Sequence, residues 1–225
     1  MCSAIAMVGL WWGISAVPVL AVGRFLVGQP SDDPTLWYVT RGAAATAYVL
    51  LTLSVALGLT VSMRAFDGLI KAWRILDLHQ VSALLMLAFV VLHLVTLVLD
   101  PFRPFTLLEM LWPLGETYRP VWVGLGVLSL YLLVAISVSS WLRRAIGNRT
   151  WRVVHLTSFA AFVLLTLHGI FAGSDTRTPW MLGVYCGACA LVGWLTLARL
   201  VVGRQRIAHS PLSASGAGPR TRQRS

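Results

Sequence analysis

Six runs of predominantly apolar residues, at about 4–27, 42–63, 77–99, 120–141, 151–172 and 180–202, take up nearly the whole chain. A bilayer core about 30 Å thick is crossed by about 20 helical residues, so each run has the length of a spanning helix. Lipid offers no water to backbone N–H and C=O groups, and such segments must close their hydrogen bonds within themselves. The sequence therefore predicts an all-α fold, an integral membrane bundle of six transmembrane helices. Composition agrees, with 57% hydrophobic and 12% charged residues, where a soluble domain carries about a quarter charged residues. The formal charge of +10 comes from basic residues at the ends of the runs and in the tail. A membrane surface explains that placement, so lipid is an expected partner and nucleic acid is not. No Lys or Arg precedes the first run, which is too long for the core of a signal peptide. It reads as a retained helix, with Pro18 as a kink.

Breakers stand between the runs, among them Gln29-Pro30-Ser31-Asp32-Asp33-Pro34, Asp100-Pro101-Phe102-Arg103-Pro104 and Gly173-Ser174-Asp175-Thr176. The second and fourth connections and the C-terminal end hold 13 of the 18 Lys and Arg residues. Positively charged loops stay in the cytoplasm, so both termini are expected inside, in a plasma or inner membrane. From about Gln205 the chain is rich in Ser, Gly, Pro and Arg. This divides it into a helical membrane domain, 1–204, and a disordered basic cytoplasmic tail, 205–225.

An ionisable side chain inside a bilayer is costly and points to function. His79 and His93 lie on the third run with thirteen residues between them, and His155 and His168 on the fifth with twelve. Each pair spans roughly 19–21 Å along its helix at about 1.5 Å per residue, a separation that suits two stacked cofactor sites. The third and fifth runs are parallel in the predicted topology, which sets His79 level with His155 and His93 level with His168. Axial histidine is a standard means of holding haem iron, and facing helices of a bundle supply the interior site. At about 100° per residue His93 returns to within roughly 40° of His79, but His168 falls about 140° from His155 on an ideal helix. A bulge, a tilt, or loosening at His168-Gly169 near the end of the fifth run is expected to supply the difference.

The two histidine pairs, with Trp151-Arg152-Val153-Val154-His155 and Leu167-His168-Gly169, resemble the ferric reductase-like transmembrane domain over about residues 40–203. That family includes membrane parts of ferric reductases and NADPH oxidases and the haem subunit of a bacterial methionine sulfoxide reductase system. The resemblance implies two b-type haems, an inner one held by His79 and His155 and an outer one held by His93 and His168, in a chain that passes electrons from inside to outside. No separate catalytic residue is implied. The oxidase branch has a further histidine one turn beyond the outer ligand, where this chain has Leu97, so dedicated superoxide production is not expected.

Haem propionates call for cationic neighbours at the membrane edge. Arg74 and Arg152 precede the inner histidines and Arg41 begins the second run on the outer side; ordinary interfacial anchoring is their other reading. Met86, Phe89, Phe159 and Phe162 fall between the haem levels, and Phe162 is the preferred aromatic bridge. Cys186 and Cys189 sit in an apolar run beside Gly183 and Gly187, a pattern that fits helix packing better than metal binding. No phosphate-binding glycine loop followed by a helix occurs, so no flavin is expected on this chain. The expected donor is a separate cytosolic flavoprotein or membrane quinol; the external acceptor is not specified by the sequence. This reads as an oxidoreductase component. The alternatives are a haem-binding sensor or assembly protein, the membrane subunit of a periplasmic methionine sulfoxide reductase, or a transporter whose histidines relay protons.

Overall fold

The computed structural model describes residues 34–63, 71–100, 110–113 and 119–208. The first predicted run, 4–27, and the segment 209–225 lie outside the described residues. Among the described residues the helices are α1 (Thr35–Met63), α2 (Ala72–Leu99), α3 (Pro120–Trp141), α4 (Arg143–Leu156), α5 (Ser158–Ala172) and α6 (Pro179–Ala208). Among the described residues there is no strand. Helices α4 and α5 together form one span, Arg143–Ala172, so among the described residues five segments are long and apolar enough to cross a membrane.

The outer surface explains why water is the wrong solvent. Trp141, Leu84, Trp194, Val153 and Leu197 are each more than 60% exposed, an arrangement suited to lipid contact. The chain is a multi-pass membrane protein. Inside, α1 is the central helix, packed on α2, α5 and α6, while α3 packs on α4 and α5. Its Gly42-Ala43-Ala44-Ala45 stretch carries little side-chain bulk, and Ala43 and Ala47 are buried, so neighbouring backbones can come close. Tyr48, Leu51, Val55 and Leu59 of α1 form one apolar cluster with Met86, Phe162, Tyr185 and Val192. Hydroxyls cross-link it: Thr40 Oγ1 donates to Thr96 Oγ1 at 2.8 Å, and the Tyr48 and Thr166 hydroxyls lie 3.0 Å apart.

The span Arg143–Ala172 is broken twice. At Gly147 the backbone has φ 80° and ψ 159°, a region open essentially to glycine alone. Across this break Arg143 Nε donates to Asn148 Oδ1 at 2.8 Å. At Thr157 the N–H returns to Val154 O at 3.0 Å and the hydroxyl donates to the same carbonyl at 2.7 Å, a tight turn of the three-residue type. A methyl at Gly147 meets nothing within 4 Å, so only backbone strain opposes it. Gly147→Ala is expected to lose about 1–3 kcal/mol of stability, read as a lower midpoint in detergent unfolding. Gly42→Ala, equally open but helical, should show no such loss.

Candidate functional site

Three of the four intramembrane histidines are anchored in the same way. His79 Nδ1–H donates to Ser54 O at 2.8 Å, with Ser54 Oγ 3.1 Å away; His93 Nδ1–H donates to Thr40 O at 3.0 Å; His168 Nδ1–H donates to Trp122 O at 2.8 Å. A carbonyl can only accept, so the proton sits on Nδ1 in each case and Nε2 keeps its lone pair. A half-buried imidazole held by one nitrogen and basic at the other has the second-sphere arrangement of a metal ligand.

Each accepting carbonyl belongs to a helix with a small residue one turn later. Ser54 is followed by Gly58, Thr40 by Ala44 and Trp122 by Gly126. At Gly126 the missing Cβ is what lets the ring reach the backbone of the neighbouring helix. A Cβ at Gly126 would stand 2.7 Å from both Cε1 and Nδ1 of His168; at Gly58 it would stand 3.5 Å from His79 Cε1. The first is a collision and the second an ordinary contact. Sequence reasoning missed these notches, because nothing in α1 or α3 shows which small residues face a histidine until the helix pairing is known.

The fold brings the predicted partners together. The His79 and His155 rings have centroids 6.1 Å apart and planes inclined at 74°. His93 and His168 line one predominantly apolar cavity of about 250 Å³, together with Arg41, Tyr48, Met86 and Tyr185. Among the described residues no group of three or more His, Cys, Asp or Glu side chains is placed to hold a metal ion. Each site is therefore a pair of imidazoles without a third ligand of those types.

Between the two levels the packing is aromatic. Phe162 is buried and stacks on Tyr48 with centroids 6.0 Å apart and planes at 18°, and Tyr185 meets Tyr48 edge-on at 5.1 Å. Tyr48 lies on α1 midway between Thr40, which holds His93, and Ser54, which holds His79. Its place was not legible because α1 carries no histidine to set the register. Phe159 packs at the edge of the same cluster and Phe89 is half-buried.

The three candidate arginines stand in different surroundings. Arg41 lines the cavity and is ion-paired to Asp175, its Nε donating to Oδ2 at 2.6 Å. Arg74 is exposed, with its guanidinium 5.4 Å over the Trp73 ring, and Arg152 is exposed. The arginine linked to an inner histidine is instead Arg143, whose guanidinium lies 4.0 Å over Trp151, which in turn stacks on His155. Cys186 and Cys189 are exposed free thiols, and a methyl at Gly183 or Gly187 would meet nothing within 4 Å. Among the described residues the expected small-residue contact on that face has no neighbour.

The sequence profile of the family described as "Ferric reductase like transmembrane component" matches residues 41–166. The chain belongs to this family. No curated protein and no solved structure matches it. The ferric reductase-like match runs from Arg41 on α1 to Thr166 on α5, taking in His79, His93, His155 and the Tyr48–Phe162 stack, and stops two residues before His168. As a ferric reductase-like transmembrane component, the chain is a membrane subunit of the oxidoreductase type.

Proposed function

We propose that this chain passes electrons across the membrane through two b-type haems, the inner one held by His79 and His155 and the outer one by His93 and His168. The observation that carries the reading is the anchoring of three half-buried histidines by Nδ1–H bonds that leave each Nε2 basic. The ring spacing of the inner pair fits as well. Metal–imidazole bonds are about 2 Å long, and with ring centres 6.1 Å apart the His79 and His155 imidazoles would leave room for one metal ion between them. A metal held by two imidazoles needs further donors, and a porphyrin brings four of its own. The apolar cavity beside His93 and His168, with Arg41 on its lining, suits a flat hydrophobic group with anionic edges.

Haem supplies one-electron exchange when bound. The protein's part is to keep both imidazoles of each pair in place, exclude water with the Tyr48, Met86 and Phe162 layer, and set two sites in series across the bilayer. Fourteen residues along α2 separate the levels of His79 and His93 by roughly 21 Å. Phe162, stacked on Tyr48, fills the interval with aromatic contact. In this reading Arg41 is the cation for an outer propionate and shares its charge with Asp175, while Arg74 and Arg152 serve the basic inner face. The chain spans six times with both ends cytoplasmic. A separate flavoprotein or membrane quinol donates on the inner side, since acidic partners are steered to basic faces, and the acceptor lies outside.

A reduced-minus-oxidised spectrum of the purified protein, with haem counted per chain, tests this. The expected result is six-coordinate low-spin b-type haem at about two per chain. Protein purified without haem from haem-replete cells would overturn the proposal. Reduction by a flavoprotein or quinol in membranes separates an electron carrier from a haem sensor.

A further inference from the structure

His155 is the exception among the four histidines. Its Nδ1 is buried and has no hydrogen-bond partner among the described residues, where His79, His93 and His168 each reach a backbone carbonyl. What holds its ring is a flat contact. Trp151, one turn earlier on α4, stacks on the imidazole with centroids 4.9 Å apart and planes at 26°. The indole is itself tied down, its Nε1–H donating to Ser140 Oγ at 3.2 Å on α3. The Arg143 guanidinium lies 4.0 Å from the centroid of the same indole, and its Nε is fixed by Asn148 Oδ1 at 2.8 Å. Gly147, the residue whose backbone only glycine adopts, sits in the bend that brings Arg143 back toward Trp151.

We propose that Trp151 is a positioning residue of the inner site, its indole face orienting His155 in place of a hydrogen bond, and that Arg143 above that indole raises the electron affinity of the metal His155 holds. This rests on the haem reading above. The chemical consequence follows from charge. An imidazole that donates no Nδ1–H bond is a weaker electron donor to its metal than the other three. A neighbouring cation disfavours the oxidised centre, which carries one more positive charge than the reduced one. Both effects favour reduction at the inner site. The cation lies at the exposed edge of the span, so its share fades with added salt, because charges there are screened beyond about 3 Å at 1 M.

The test uses full-length protein purified in detergent, with optical redox titration and haem counted per chain. A parallel His168→Ala sample identifies which of the two components is the inner one. Trp151→Ala is expected to lose low-spin character or occupancy at the inner component while the outer one stays as in wild type, and Trp151→Phe to restore both. Arg143→Gln is expected to keep both haems and to lower the reduced-to-oxidised ratio of the inner component up to about tenfold at low salt, ~59 mV for a one-electron couple, with the difference shrinking in 1 M salt. Three results would overturn the inference: Trp151→Ala matching wild type at the inner component, Trp151→Phe being as damaging as Ala, or Arg143→Gln leaving the inner potential unmoved at low salt. Should Trp151→Ala yield no folded protein, the Phe and Arg143 variants decide. Wild type without haem would fail the functional proposal itself, and is seen before any variant is compared.

Discussion

His168→Ala is expected to purify with about one haem per chain where wild type holds about two, and to lose the ability to carry electrons to an external acceptor. His168 and His93 are the two imidazoles on the lining of the outer cavity, and no third His, Cys, Asp or Glu among the described residues is placed to replace either. Removing one would leave a single imidazole to hold the outer group. The inner pair should be untouched: His79 is anchored on α1 through Ser54, and the His79–His155 contact lies about two helical turns past the Tyr48–Phe162 layer. The remaining signal should therefore stay low-spin and still be reduced from the inner side. Haem content, the spin state of the remaining component and reduction by dithionite or membrane donors together read this out. Loss of both haems in a well-folded variant would show that the two sites are not independent and would count against two separate pairs.

The spans were legible because hydropathy reports the apolar core of a helix, and five of the six runs coincide with observed helices. Their ends were not, since the turns that reach the interface mix aromatic and charged residues. α1 begins at Thr35 with Trp37, Tyr38 and Arg41 in its first turns, and α2 at Ala72 with Trp73 and Arg74, each several residues before the predicted run. Histidine spacing and helix direction set His79 level with His155 and His93 level with His168, while the angular mismatch between His155 and His168 called for a bulge, a tilt or loosening at His168-Gly169. The structure puts the irregularity at Thr157. A three-residue turn winds about 120° per residue against about 100° in an α-helix, which rotates the later residues in the sense that closes part of the 140° gap. The hydroxyl of Thr157 competes for the Val154 carbonyl and stabilises the tight turn.

The helices that carry no histidine were the least legible part. Tyr48, Gly58, Ala44 and Gly126 acquire meaning only through the register of α1 against α2 and of α3 against α5, which no single sequence displays. The arginines show the same limit. Nearness to a histidine in sequence points to Arg74 and Arg152, whereas Arg143 reaches His155 through Trp151 because the chain folds back at Gly147. Proximity along a helix is a poor guide when side chains one residue apart point about 100° from each other.

The notch at Gly126 carries the second large effect. Its Cβ position lies 2.7 Å from Nδ1 and Cε1 of His168, and the carbonyl that the ring reaches, Trp122 O, is one turn earlier on the same helix. A methyl there cannot coexist with the imidazole where it stands. α3 resists moving away, because Trp122 stacks on Phe171 with centroids 4.1 Å apart and Arg119 donates to Phe171 O, so the end of α3 next to the contact is tied to α5. The ring must therefore swing, and the Nδ1–H bond to Trp122 O is lost. Losing such an outer partner weakens metal affinity about 10–100-fold, and overpacking the interface adds about 1–3 kcal/mol of destabilisation. Gly126→Ala is thus expected to lower outer-haem occupancy and broaden its redox titration while the inner component stays as in wild type. Gly58→Ala, where the added methyl would meet the His79 ring at 3.5 Å, should leave both components close to wild type. The contrast is the informative part: equal behaviour of the two alanine variants would mean that the notch at Gly126 does not set the position of His168.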